Sequence, residues 1–368
     1  MTPYERIDTP SLLIDLDRAE KNIRDMQAYA DKMGVKLRPH TKTHKMPYFA
    51  KKQVDAGACG IAVAKIGEAE VMAEQGITDI LIANEIVGIA KYERLLKLHE
   101  KITIRSGVDN CFQIDQIEQV FENSSRPYEV LIELEVGENR TGVITDEQLI
   151  NLVEYIKTKK HVILKGIFSH EGHTYKAPDR ETAKILAEES YKRTLRAADL
   201  IRKCGVEIEI VSIGATPSIM NHAFMEGITE LRLGTYIFMD MGQGKAIQDY
   251  SRCAATVLAT IISKPTDTRV VTDAGAKALV PQNRSEGICS TGGFGCIKGD
   301  ESVVIANMFD EHGIIEDQAF HDKVSIGEKV EIVPSHVCPT VNLYDEAVLV
   351  SKGEVLGTVP ILCRGKTK

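Results

Sequence analysis

The sequence has no C-x-x-C pair, no apolar run of membrane length and no cluster of basic residues interleaved with aromatics. Each absence removes a class of protein. No stretch approaches the ~20 apolar residues that a membrane-spanning helix needs, so no membrane association is expected. Lysine and arginine number 45 against 53 acidic side chains, a net charge of −8, which argues against a nucleic-acid partner. The opening MTPYERIDTPSLLIDLD lacks the charged start, apolar run and cleavage site of a secretory signal, and a cytoplasmic protein is expected. The eight cysteines (Cys59, Cys111, Cys204, Cys253, Cys289, Cys296, Cys338 and Cys363) are scattered through a chain too long to need a disulfide framework. Most should be reduced and inert. Pro- or Ser-rich linkers, short repeats and low-complexity tracts are also missing, so any two domains should share a packed interface.

What is present is an ordinary globular composition, 43% hydrophobic and 27% charged over 368 residues. A single α/β barrel commonly takes about 250 residues, so a barrel plus a smaller domain fits the length. From about residue 35 to 240, short β-branched runs alternate with longer amphipathic segments such as IVGIAKYERLLKLHEK and DEQLINLVEYIKTK. Apolar residues at three- and four-residue spacing mark the latter as helices, and the alternation marks βα units. Candidate strands fall at 36–42, 60–64, 79–83, 102–106, 130–136, 162–169, 208–213 and 230–238. Eight parallel strands with intervening helices predict a closed (β/α)8 TIM barrel over residues 18–242. Short runs at turn-separated intervals follow, among them TVLATIIS, RVVTDAG and KVEIVPSHVC. They predict a β-rich domain over 243–368, joined by residues 1–17, whose strand SLLIDLD has no place in an eight-strand count.

A barrel of this kind carries its chemistry at the C-terminal ends of its strands. The first ends in LRPHTKTHK, the fifth in VGENRTG, the sixth in SHEGHTY and the seventh in SIGATPS, and the eighth runs through ELRLGTY. A lysine sheltered at such an end can have its pKa lowered enough to form an imine with an aldehyde cofactor, which makes Lys42 the candidate. A strand-end lysine also serves solubility alone. Gly214, Ala215 and Thr216 after the seventh strand, with Gly234, Thr235 and Tyr236 after the eighth, offer backbone N–H groups where barrels hold phosphate. Turn geometry alone also explains barrel glycines. In a strand, His336 and Cys338 of PSHVCPT would point to one face, and imidazole with thiolate suits Zn²⁺. The plainer reading is a core cysteine beside a surface histidine. His170 and His173, flanking Glu171, are either substrate or base residues or merely packed or solvated histidines, and the same two readings hold for His40 and His44 beside Lys42; Asp273 is placed either near the mouth of the site or in a turn.

These segments, with VVTDAGAKAL and PSHVCPTVNLYDE, resemble the D-threonine aldolase and D-serine dehydratase family of pyridoxal-phosphate (PLP) enzymes, which has the alanine-racemase-like fold. The resemblance runs from about residue 8 to 360, and its RPH-x-K-T-H-K and H-x-C-P-T-V-N motifs are specific. It implies that Lys42 carries the cofactor as a Schiff base and that the segments around Gly214 and Gly234 hold its phosphate. It places Arg140 near the cofactor ring or its phenolic oxygen, and Arg232 where related racemases put an arginine on the pyridine nitrogen. His336 and Cys338 would bind a divalent metal, zinc before manganese or magnesium, beside the substrate's 3-hydroxyl. The implied substrates are small D-configured 3-hydroxy amino acids, and the implied assembly is a homodimer.

The family's dehydratases tend to use His-x-Cys for metal and its aldolases His-x-Asp. The pair here ranks β-elimination, as of D-serine to a keto acid and ammonia, ahead of retro-aldol cleavage to glycine and an aldehyde. An amino-acid racemase would need a second acid/base on the opposite face of the ring, commonly a tyrosine, and GGFGC offers Phe294 instead. A barrel-only PLP carrier would lack both the β domain and the metal pair.

Overall fold

The computed structural model describes residues 4–368. Strands Lys36–Leu37, Ile61–Val63, Asp79–Glu85, Thr103–Val108, Tyr128–Leu134, Val162–Ser169, Ile210–Ile213 and Glu230–Leu231 form one parallel sheet, each beside its chain neighbour. The last pairs with the first, Lys36 opposite Glu230. The seam between first and second strands is closed by two hydrogen bonds: Thr41 N–H donates to Ala62 O and Ala62 N–H to Pro39 O, each at 2.8 Å. The ring of eight strands expected from the β-branched runs is therefore present, with helices on its outside. No helix among the described residues is long and apolar enough to cross a membrane.

Two barrel strands are shorter than their sequences suggest. The eighth stops at Leu231 and continues into a single turn of 3₁₀ helix, Thr235–Ile237. The first stops at Leu37, and after His40 the chain coils, with Lys45 N–H donating to Thr41 O at 2.8 Å. Once that loop turns away, the eighth strand has no neighbour to pair with, and its β-favouring residues fold otherwise.

Inside the barrel, Ala62, Leu81, Leu131 and Phe168 pack together. A Cβ on Gly107 would lie 2.8 Å from Phe168 Cζ, so glycine there makes room for the ring. Beneath this layer runs a line of charges. Arg38 donates to Glu230 at 2.8 Å and to Asp79 at 2.6 Å, and Arg105 donates to Asp79 at 3.0 Å and to Glu129 at 2.6 Å. The acids and arginines neutralise one another, which makes the burial of Arg38 and Glu230 tolerable.

The second sheet is built on Ala255–Ser263. Ser11–Asp15 pairs with it antiparallel, Leu12 opposite Val257, and lies parallel to Glu346–Ser351 on its other side. The N-terminal strand thus sits in the same sheet as the C-terminal strands, and the chain crosses between the two sheets in two adjacent strands, tied by Asp15 N–H to Ala254 O at 2.8 Å. The C-terminal tail returns to the barrel. Cys363 N–H donates to Lys45 O at 3.0 Å, and Gly67 N–H to Lys368 O at 2.9 Å.

Candidate active site

Lys42 lies in the loop after the first barrel strand, and hydrogen bonds fix the loop on both sides. Its own N–H donates to His40 Nδ1 at 3.3 Å. Met46 N–H donates to His44 Nδ1 at 3.1 Å, so the His44 ring carries its proton on Nε2 and donates to Gln53 Oε1 at 3.1 Å. Gln53 Nε2 in turn donates to the Tyr236 hydroxyl at 2.9 Å. This relay binds the lysine loop to the turn after the eighth strand. His44 is fully buried, and burial pushes its pKa down to about 4, so the relay is neutral.

The Lys42 side chain opens on a cavity of about 280 Å³. The same cavity is lined by Gly214, Ala215, Thr216, Gly234 and Thr235, by Arg140, His170 and Arg232, and by His336 and Cys338. Three sources meet here: the strand ends of the barrel, the lysine loop, and the second domain. A further cavity of about 360 Å³ shares His40, Lys42, Arg140, His170 and Arg232 as walls and adds Glu85 and Glu133. Four residues singled out from sequence, His44, His173, Tyr236 and Asp273, are in the wall of neither cavity. His173 packs on Gly137, where a Cβ would lie 2.9 Å from its Cε1, and Tyr236 faces Gln53 and a separate hollow beside Met26 and Tyr29.

Charge in the cavity is arranged around the amine. Burial, chiefly, lowers the Lys42 pKa, with Arg140 and Arg232 acting in the same direction. Burial and the Lys42 charge hold both His40 and His170 well below the ordinary imidazole range, so both rings are neutral. Arg232 is held by two bonds, from Nε to the Ser212 hydroxyl at 2.9 Å and from Nη2 to Ser169 O at 2.6 Å. Ser212 donates onward to Glu230 at 2.8 Å, which connects the floor of the cavity to the charge line of the barrel. Arg140, half exposed, faces Glu133 at 3.4 Å and Glu138 at 3.3 Å.

The glycines at the candidate phosphate position are required by close backbone approach. A Cβ on Gly214 would sit 2.8 Å from the Arg232 carbonyl carbon, and one on Gly234 would sit 2.9 Å from Thr43 Oγ1 and 3.0 Å from His40 O. Their absence lets the loops after the seventh and eighth strands close on each other and on the lysine loop. In the cavity wall His170 Nδ1 is buried without a partner. An amine with a lowered pKa, a glycine-lined backbone cradle and an unpartnered imidazole nitrogen fit an aldehyde cofactor with a phosphate arm.

The strand geometry expected for the His336–Cys338 pair is corrected. His336 is the N-cap of a short helix, Val337–Val341, that follows strand Lys329–Pro334, and Cys338 lies in its first turn. Asp240 fixes this start by accepting from Val337 N–H at 3.1 Å. The two side chains still line one cavity. His336 Nδ1 donates to Gln282 Oε1 at 2.8 Å, which leaves Nε2 as the free lone pair, and the Thr43 hydroxyl lies 3.3 Å from Cys338 Sγ. Among the described residues no third histidine, cysteine or carboxylate joins them as a cluster. Two ligands from the chain leave positions for water and substrate, as a catalytic ion needs.

Glu138, Asp240, Gln282 and Arg284 escaped the sequence reading. Glu138 was the accessible one, two residues before Arg140 in VGENRTG; Arg284 reaches the cavity, and Asp240 and Gln282 reach the turn at His336, only through tertiary packing. Asp273 lies in the bend just after strand Arg269–Thr272, accepting from Thr260 N–H at 2.8 Å and from the Thr9 hydroxyl at 2.6 Å, and is not in the wall of this cavity.

Comparison with known proteins agrees with this layout. Residues 14–242 match the alanine racemase N-terminal domain, and residues 254–350 match a putative serine dehydratase domain. D-threonine aldolase of Arthrobacter sp is 34% identical over 366 residues, covering 99% of this chain and 94% of that enzyme. D-threo-3-hydroxyaspartate dehydratase of Delftia sp. (strain HT23) is 30% identical, covering 91% of this chain and 92% of that enzyme. Among solved structures, D-threonine aldolase from Filomicrobium marinum superposes with a TM-score of 0.89 at 31% identity, covering 99% of this chain and 98% of that one. A cysteine-to-alanine variant of a D-threo-3-hydroxyaspartate dehydratase, solved in its metal-free form, superposes with a TM-score of 0.88 at 28% identity, covering 98% of this chain and 99% of that one. With both domain matches, full-length relatives of one chemical kind and a cavity that fits their cofactor, the chain belongs to the D-threonine aldolase and D-serine dehydratase family of PLP-dependent lyases.

Proposed function

We propose that this lyase eliminates water from small D-3-hydroxy amino acids, giving a keto acid and ammonia, with Lys42 as the base and a metal at His336 and Cys338. The observation that carries the reading is that one cavity brings together a buried amine of lowered pKa and an imidazole–thiol pair from the other domain. Lys42 would hold PLP, the backbone of residues 214–216 and 234–235 would take its phosphate, and Arg140 and Arg232 would flank its ring. When bound, PLP withdraws electrons from the substrate's α-carbon.

The amine of Lys42, whose charged form burial disfavours, takes the proton from the α-carbon. His40 and His170, both neutral, add no positive charge beside that amine. A divalent ion on His336 Nε2 and the Cys338 thiolate, zinc by the softness of this donor set, would polarise the 3-hydroxyl for departure. Val337 N–H on Asp240 and the bond from His336 Nδ1 to Gln282 hold the pair in place.

Retro-aldol cleavage is the second reading, favoured by the 34% identity to a D-threonine aldolase. It would need a base to remove the hydroxyl proton instead of the α-proton. The test incubates protein, PLP and Zn²⁺ or Mn²⁺ with D- and L-serine, threonine and 3-hydroxyaspartate. Keto acid and ammonia support elimination; glycine with an aldehyde overturns it for retro-aldol cleavage, and inversion of alanine without either would indicate a racemase.

A further inference from the structure

Three arginines line the Lys42 cavity, and they differ in what they already hold. Arg232 donates to Ser212 and to Ser169 O, and Arg140 faces Glu133 and Glu138. Arg284 Nη1 is buried with no hydrogen-bond partner. An arginine N–H withdrawn from water and left unpaired is costly, and a planar guanidinium is shaped to receive a carboxylate with two parallel bonds.

Arg284 is also held in place. Its backbone N–H donates to Thr291 Oγ1 at 3.2 Å, and Thr291 N–H donates back to Arg284 O at 2.9 Å, which closes the loop that carries it. The guanidinium lies over the Tyr175 ring, 5.3 Å from its centroid. A Cβ on Gly242 would come within 2.8 Å of Nη1, so glycine there leaves the group its room. The neighbouring acid, Asp240, uses one oxygen on Gln243 N–H at 2.8 Å and the other on Val337 N–H at 3.1 Å. No hydrogen bond joins it to Arg284 Nη1.

Position decides which carboxylate this is. Two residues before Arg284, Gln282 grips His336, and the charge of Arg284 is felt at both His336 and Cys338. Arg284 thus stands on the metal side of the cavity, where the hydroxyl-bearing carbon of a substrate would come. Resting on the lyase reading above, we propose that Arg284 receives a carboxylate carried on the substrate's β-carbon, which makes 3-hydroxyaspartates the preferred substrates.

The test compares the PLP-loaded wild type with Arg284→Met, which keeps a long unbranched side chain without charge, and Arg284→Lys, which keeps charge without the fork. Turnover of 3-hydroxy-D-aspartate is expected to exceed that of D-serine and D-threonine in kcat/KM by about tenfold or more, because a site built for a polar group discriminates against substrates that lack it. Arg284→Met should lower kcat/KM about a hundredfold for the dicarboxylate and leave the other two within about threefold, with Arg284→Lys between. Binding without turnover is read by titrating D-aspartate and D-alanine, which lack the hydroxyl, against the cofactor absorbance. D-Aspartate should bind more tightly in the wild type, and the preference should vanish in Arg284→Met. Equal weakening of both ligands would overturn the proposal, as would turnover of D-threonine with no aspartate preference. An Arg284-dependent aspartate preference without turnover of any 3-hydroxy substrate would support the carboxylate site and sink the lyase reading instead.

Discussion

Glu230 stands where the charge line of the barrel meets the floor of the cavity, and Glu230→Gln is expected to disturb both. One carboxylate oxygen accepts from Arg38 Nε at 2.8 Å, the other from the Ser212 hydroxyl at 2.8 Å, and Ser212 accepts from Arg232. The side chains of Arg38 and Glu230 are 5% and 3% exposed. Glutamine keeps the shape but removes the charge, and its NH₂ must face either Arg38 or Ser212. Arg38 would then rely on Asp79, at 2.6 Å, whose side chain is 31% exposed and shared with Arg105. Losing one partner of a buried pair costs about 3–5 kcal/mol, and the remaining Asp79 places the expectation at the low end. That corresponds to a fall in thermal midpoint of roughly 5 °C or more, measured by calorimetry on the cofactor-free protein. Replacing both members, Arg38→Met with Glu230→Met, should recover most of the loss, because no buried charge is left alone. A single variant as stable as the wild type, or a double variant worse than the single, would refute the reasoning.

Lys42→Ala should abolish the cofactor's protein-bound absorbance and lower turnover by at least about a thousandfold, measured with the substrate panel. Cys338→Ala should retain the cofactor spectrum but lose bound metal by elemental analysis, and with it elimination. Gly234→Ala should weaken cofactor affinity about tenfold or more, in a fluorescence titration, because its methyl meets His40 O at 3.0 Å. His44, held neutral by burial down to about pH 4, gives stability a definite pH dependence. As pH falls from 6.5 towards 4 the unfolded chain takes up a proton that the folded ring refuses, so up to about 3 kcal/mol is lost across that window. Thermal midpoints measured against pH should fall through this range, and less so in His44→Gln.

Much of this molecule was legible in its residues, for physical reasons. Period-two and period-3.6 apolar patterns are local, so all eight barrel strands could be counted, and strand-end polarity pointed to Lys42 and the two glycine loops, whereas Arg140 came in only with the family resemblance. Strand ends were less legible: the β-branched character of residues 232–238 persists where the ladder has lost its neighbour. The geometry at His336 was hidden similarly, because the helix start depends on Asp240, distant in sequence. Arg284 carries no local signature at all. Its meaning comes from a loop of one domain lying over the strand ends of the other.

The path of the chain bears on how the two halves of the site keep their spacing. Residues 15 and 254 cross between the sheets side by side, and the tail at 363–368 reaches back to Lys45 and Gly67, one of them three residues from Lys42. A body tethered at one crossing could swing about it like a gate. Pinned again at its far end, close to the reacting amine, it has far less room to swing. His336 and Cys338 are therefore presented at a set distance from Lys42, and specificity follows from the shape of a ready-made chamber more than from closure around a guest.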